Sequence, residues 1–215
     1  MIKNDYSKKM AEEFTSLIKK IEKLNKNNEN PFTEIDSAYK KFLGISSGFA
    51  NNISTIDLIK LLRTNMVPDG NKLTIAAKLL LEEGKICEKS NDIENAFYKY
   101  EKAFSLIYVV FYNNFECILN EYEQIAGEIT SLLNEYELDE RTTFKVFNYY
   151  SITGNYGKAD EYVFELINNF SNKDKYKNEA INFYNNLLSK NDDELEKGNL
   201  SREEAKEALK EVENI

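Results

Sequence analysis

The chain has 215 residues and a net charge of −9, with 30% charged residues, thirteen Phe and fourteen Tyr but only two Pro and eight Gly. That composition carries no sign of disorder and suits long packed helices with a substantial core. The acidic excess argues against a general nucleic-acid binder, because neutralising phosphates takes a basic face.

The first predicted helix runs from Asn4 to Lys26, where Tyr6, Met10, Phe14, Leu17, Ile21 and Leu24 recur at threes and fours. This is a single apolar stripe with lysines and glutamates on the other faces. The stripe can pack on the chain's own body, form a homodimer contact through 4–26, or rest its Lys-rich flank on a membrane surface. After the polar break ending at Pro31, a second helix carries Ile35, Ala38, Tyr39, Phe42 and Leu43 and stops at Gly44. ISSGFANN reads as a connection. Ser54 with Asp57 forms an N-terminal cap for the short helix DLIKLLRT, and Pro68, Asp69 and Gly70 turn the chain into its central stretch.

Two antiparallel helices follow between Leu73 and Tyr108, joined by the polar turn SND. Small residues at Gly84, Ala96 and Ala103 allow the backbones to approach, and Tyr100 fills the gap they leave. The order Gly84, Ala96, Tyr100, Ala103, at spacings of twelve, four and three, resembles the tetratricopeptide repeat, although Leu80, Cys87 and Tyr108 depart from that pattern. Glu82 and Glu83 in the first helix read as a solvated face.

Phe115 to Tyr136 carries the most regular apolar stripe and reads as one long helix, with Gly127 as a close contact. Arg141 to Phe170 shows complementary repeat positions: Tyr150, Gly154 in the turn, Tyr156 and Ala159. Phe147 and Leu166 replace small residues there and predict a wider crossing. A helix with Ala180, Phe183, Tyr184 and Leu187 precedes the acidic stretch NDDELEKGN, read as a loop, and Ser201 with Glu204 opens a terminal helix through a capping box.

The fold class predicted is all-α: stacked antiparallel helical hairpins in an irregular tetratricopeptide-like superhelix. Residues 1–67 form an N-terminal helical segment and 68–215 the repeats. The NDY opening with Met10 and Phe14, AYKKFLGISS, DLIKLL and LLLEEGKI together resemble a bacterial family of unknown function, mostly from Gram-positive species. That resemblance supports the fold and implies no catalytic residue.

The chain has no histidine, which removes catalytic triads and most zinc sites. GNYGK at 154–158 has the wrong spacing for a phosphate loop and reads as a hairpin turn. No enzyme activity, metal or cofactor is therefore expected. Cys87 and Cys117 read as buried thiols, with a disulfide between them as the minor alternative; with neither a leader-like N-terminus nor an apolar run long enough to span a bilayer, a cytoplasmic protein is expected.

In tetratricopeptide-like stacks the first helix of each hairpin lines a concave surface that holds a peptide or partner helix. By that resemblance the groove residues are Lys78, Leu81, Lys85 and Glu88 in one hairpin and Phe144, Asn148 and Ile152 in the other. Asn148 is singled out because an amide both donates to and accepts from a peptide backbone. The expected function is a non-catalytic interaction scaffold or adaptor for an unidentified protein or peptide, with a ligand-sensing regulator or a homodimeric module as alternatives.

Overall fold

A computed structural model describes residues 2–119 and 121–215, residues 2–7 by backbone alone. The described chain is all-α, with helices packed on their neighbours in sequence and one two-stranded hairpin. It divides into two compact units, Met1–Tyr136 and Glu137–Ile215.

In the first unit, α1 (Ile2–Lys26) buries Phe14, Ile18 and Ile21 within the unit, Phe14 meeting Phe42 edge to face at 5.2 Å. Its expected stripe residue Tyr6 lies outside the described side chains. Helix α2 (Phe32–Ala38) widens into a π-helical turn over Tyr39–Leu43 and ends at Gly44, whose φ of 72° is easy only without a Cβ. The stretch read as a connection contains a third helix, α3 (Ser47–Asn52). It forms because the Ser46 hydroxyl caps it by accepting from the Phe49 amide. Ser54 caps α4 (Thr55–Leu61) in the same way. The chain then turns through β1 (Arg63–Thr64) and β2 (Val67–Pro68), paired antiparallel.

Helix α5 (Gly70–Lys89) is the centre of this unit, packed by α1, α2, the π-turn, α6 (Ile93–Tyr112) and α7 (Tyr122–Leu133). The sequence LTIAAKLLL already carries apolar side chains around almost the whole helix, the pattern of a helix with no free face. Gly84, Ala96, Tyr100 and Ala103 are all buried at its crossing with α6. The one long helix expected over 115–136 is shorter, because 115–119 leaves the helical path: Asn114 has a φ of 51°, and the Ile118 amide donates to Asn71 Oδ1 of α5 at 2.7 Å. Gly127 faces open space, so no close contact explains it.

The second unit is a run of helices, each folded back on the last: α8 (Glu140–Thr153), α9 (Tyr156–Asn169), α10 (Lys173–Leu188) and α12 (Arg202–Asn214). Gly154 ends α8 at a φ of 80°, and Tyr150, Tyr156 and Ala159 are buried around that turn. The acidic stretch read as a loop is the short helix α11 (Asp192–Lys197), capped by Asn191, with three acids over its N-terminal turn favouring the helix dipole. The capping box at Ser201 and Glu204 is formed in full.

Candidate functional site

The central position of α5 decides what its polar residues do. Glu82 and Glu83, expected on a solvated face, are each 1% exposed. Consecutive residues on a helix point about 100° apart, so each finds a different wall. Glu82 Oε1 accepts from Lys78 Nζ at 2.7 Å and Lys85 Nζ at 2.9 Å, and those lysines also reach Glu22 of α1 and Glu128 of α7. Lys78 is held charged by these carboxylates against the burial that opposes it.

Glu83 faces the other way. Its carboxylate accepts from Ser47 Oγ at 2.5 Å, from Asn51 Nδ2 at 3.0 Å and from Lys99 Nζ at 2.9 Å. Beside it Lys102, 2% exposed, donates to the carbonyls of Ala50, Asn51 and Ile53 at 2.7, 3.2 and 2.6 Å. Those carbonyls close the C-terminal end of α3, so the ammonium caps the helix and pins it to α6. Burial, with the neighbouring Lys99, pushes Lys102 down to about 8, while Glu83 acts in the opposite direction. Tyr39, wholly buried next to this group, has a hydroxyl without a hydrogen-bond partner among the described residues; burial, then the Glu83 charge, raise its pKa.

Of the expected groove residues in this unit, Leu81 is fully enclosed, since α5 has helices on every side. Lys78 and Lys85 are committed to Glu82, and Glu88 accepts from the hydroxyls of Tyr100 at 3.0 Å and Tyr136 at 3.4 Å. Leu81 is thus inside the unit, and the other three, partly exposed, are engaged by side chains of their own unit.

The second set lies differently. Phe144, Asn148 and Ile152 fall at i, i+4 and i+8 along α8 and so share one stripe. Phe144 is half-buried against Phe147 and Tyr176, with Lys175 Nζ 4.4 Å above its ring. Asn148 Nδ2 donates to the Phe144 carbonyl at 2.8 Å, which orients the amide, and Ile152 is 48% exposed. The ring of Tyr176, behind Phe144, donates its hydroxyl to Glu140 at 2.5 Å, and Tyr184 donates to Asp160 at 2.6 Å. Aromatic and carboxylate groups thus brace α8 and α9 from behind while the stripe keeps one open end.

Sequence reasoning passes over Lys102, and it places Glu83 on a solvated face and Tyr39 only among the apolar positions of the second helix. A lysine inside the aromatic run FYKYEKAFSLIY was the available signal. Among the described residues no cluster of three or more potential metal ligands occurs, and no helix is long and apolar enough to cross a membrane. Cys87 and Cys117 are free thiols, each half-buried rather than enclosed, and burial raises both.

The chain belongs to a family of unknown function (DUF6483), whose model matches residues 1–215. No curated protein and no solved structure matches it.

Proposed function

We propose that the chain is a non-catalytic, tetratricopeptide-like interaction scaffold that binds a peptide or helix of a partner protein along α8. The observation that carries this reading is the stripe Phe144–Asn148–Ile152. It combines a braced aromatic ring, an amide held by its own backbone contact, and an exposed branched aliphatic side chain at successive turns. The Asn148 amide donates once to Phe144 and keeps its carbonyl oxygen available for a peptide N–H. A ring fixed by neighbours contributes contact area at little entropic cost. The commitment of Glu82 and Glu83 to lysines of their own unit favours a scaffold over an acid–base enzyme, because neither carboxylate is open to a substrate. In this reading the protein works in the cytoplasm, where thiols such as Cys87 and Cys117 stay reduced.

The test is affinity capture from lysate with the wild-type chain and an Asn148→Ala, Ile152→Asp double variant, both verified as helical by circular dichroism. Neither substitution enters the aromatic core. A partner retained by the wild type and lost by the variant supports the reading. Equal retention by both removes α8 as the binding face.

A further inference from the structure

Lysine is a poor choice for the first turn of a helix, where the N-terminal end of the dipole repels a cation. Helix α10 nevertheless opens with Lys173 and Lys175 on either side of Asp174. Lys175 is exposed and forms no ion pair among the described residues. Its ammonium lies instead over two rings, 4.4 Å from the centre of Phe144 and 4.9 Å from that of Tyr176. A cation is drawn to the face of an aromatic ring, and two rings hold this one in place.

That place is the rim of the α8 stripe. Phe144 meets Tyr176 at 5.8 Å and Phe147 meets Phe183 at 5.4 Å, so α8 and α10 lie side by side and run in the same direction. Phe144 is the first residue of the stripe. The Lys175 ammonium, the Phe144 ring, the Asn148 amide and the Ile152 side chain therefore form one line. Its two ends differ in chemistry: one is cationic, the other aliphatic and 48% exposed.

Three acidic residues neighbour Lys175, and none is paired with it. Glu140 accepts the Tyr176 hydroxyl at 2.5 Å, Asp174 precedes Lys175 in sequence, and Glu179 follows it by one helical turn. Lys173 and Lys177 offset them, Lys177 donating to the Glu213 carbonyl at 3.0 Å. The surroundings are thus close to neutral and attract no anion from a distance. What remains is one ammonium at the end of an apolar and amide-bearing line. It is matched by a carboxylate carried on the same chain that covers the line. An anionic bilayer or a polyanion takes a basic field that this face lacks.

We infer that Lys175 makes the α8 stripe selective for an extended partner segment whose aspartate or glutamate side chain meets the ammonium while an aliphatic residue covers Ile152. This selectivity rests on the reading of α8 as the binding face. The occupant is extended because the free Asn148 carbonyl oxygen takes a backbone N–H, and a helix has already used its own. Phe144 and Ile152 are eight residues apart on α8, about 12 Å at the helical rise. An extended chain covers that distance in about four residues, and an even spacing keeps both side chains on one face. The acid and the aliphatic residue of the segment therefore stand four positions apart.

The experiment measures binding of the full chain to labelled, C-terminally amidated peptides by fluorescence anisotropy. One set carries glutamate four residues from leucine, in both orders, in a neutral polar background; matched sets carry glutamine or lysine in its place. Wild type is expected to bind a glutamate peptide about fivefold more tightly than its glutamine counterpart, the size of a well-placed surface ion pair, and the lysine peptide least. That preference should shrink with salt, persist in Lys175→Arg and vanish in Lys175→Gln. Lys175 is exposed, so neither variant disturbs the core. Equal binding of the glutamate and glutamine peptides, or a preference that survives Lys175→Gln, overturns the proposal. So does a glutamate-free peptide with a free C-terminus that binds as tightly as the glutamate set, which would assign Lys175 to a chain end. The Asn148→Ala, Ile152→Asp variant tells the two failures apart. If wild type shows no preference but this variant loses all the peptides, the α8 face stands without Lys175; if the variant binds them as wild type does, both fall. Binding of no peptide overturns the selectivity and leaves the α8 face to the capture experiment.

Discussion

The ring of Tyr100 on α6 lies directly over Gly84 on α5, so close that a Cβ built on Gly84 would stand 2.7 Å from the Tyr100 Cδ1. Each residue requires the other. The missing side chain makes the seat for the ring, and the ring, 0% exposed, fills a hollow that would otherwise lie at the crossing of the two longest helices of the central hairpin. Its hydroxyl ends on Glu88, so burial leaves no polar group unmet.

Gly84→Ala should therefore destabilise the fold even though alanine is the better helix former. The expected loss is about 1–3 kcal/mol, the usual cost of overpacking. Tyr100→Ala should cost roughly 3–5 kcal/mol through the cavity it opens. In the double variant Gly84→Ala, Tyr100→Ala the clash is relieved, so urea midpoints should show the two changes to be less than additive. Additive losses would mean that the ring does not sit on the glycine.

Glu83→Ala should cost more than Glu82→Ala. Removing Glu83 leaves the half-enclosed Lys99 without its carboxylate and frees Ser47 and Asn51 of α3, a loss of about 3–5 kcal/mol. After Glu82→Ala, Lys78 retains Glu22, and Lys85 retains Glu128 at 2.6 Å. Paired urea denaturation curves test the order, and equal midpoints would contradict it.

Lys102 should titrate near 8, followed by its ¹³Cε chemical shift. The folded value lies below the 10.5 of an unperturbed lysine, so between about 8 and 10.5 the unfolded chain holds more protons. The contribution of this group to stability consequently rises with pH across that window, the reverse of a lysine whose ion pair is lost on deprotonation. A midpoint at or above 10.5 would contradict the account. Lys102→Met should leave three carbonyls of the α3 end without their donor, and amide exchange should accelerate in 47–53 before it does in α5.

Tyr39→Phe should be neutral or stabilising by up to about 1 kcal/mol, because it removes a buried hydroxyl that no side chain or carbonyl meets. A fall in Tm of several degrees would show that the hydroxyl is bonded.

The features legible in the sequence are those whose cause is local. The capping box at Ser201 and Glu204, the cap at Ser54, the turn at Gly154 and the spacing of Gly84 with Tyr100 each depend on residues one helical turn or one hairpin apart. The start of α7 was not legible, since Phe115, Ile118 and Leu119 continue the helical period while Asn71, far earlier in the chain, takes the Ile118 amide and holds 115–119 off the helix. The burial of Glu83 and Lys102 depends on where α3 docks, and α3 itself read as a connection. In the candidate site, periodicity places Phe144, Asn148 and Ile152 on one stripe. It places Leu81 equally well on an outer face, because periodicity along α5 says nothing about how many helices surround it.

The most direct measurement is hydrogen–deuterium exchange of the full chain with and without a protein partner captured through the wild type but not through the Asn148→Ala, Ile152→Asp variant. Binding along α8 predicts protection concentrated in 144–153, with little change in α1. Unchanged exchange in α8, with the protection falling on 8–26 instead, would contradict the scaffold reading and assign binding to the first helix.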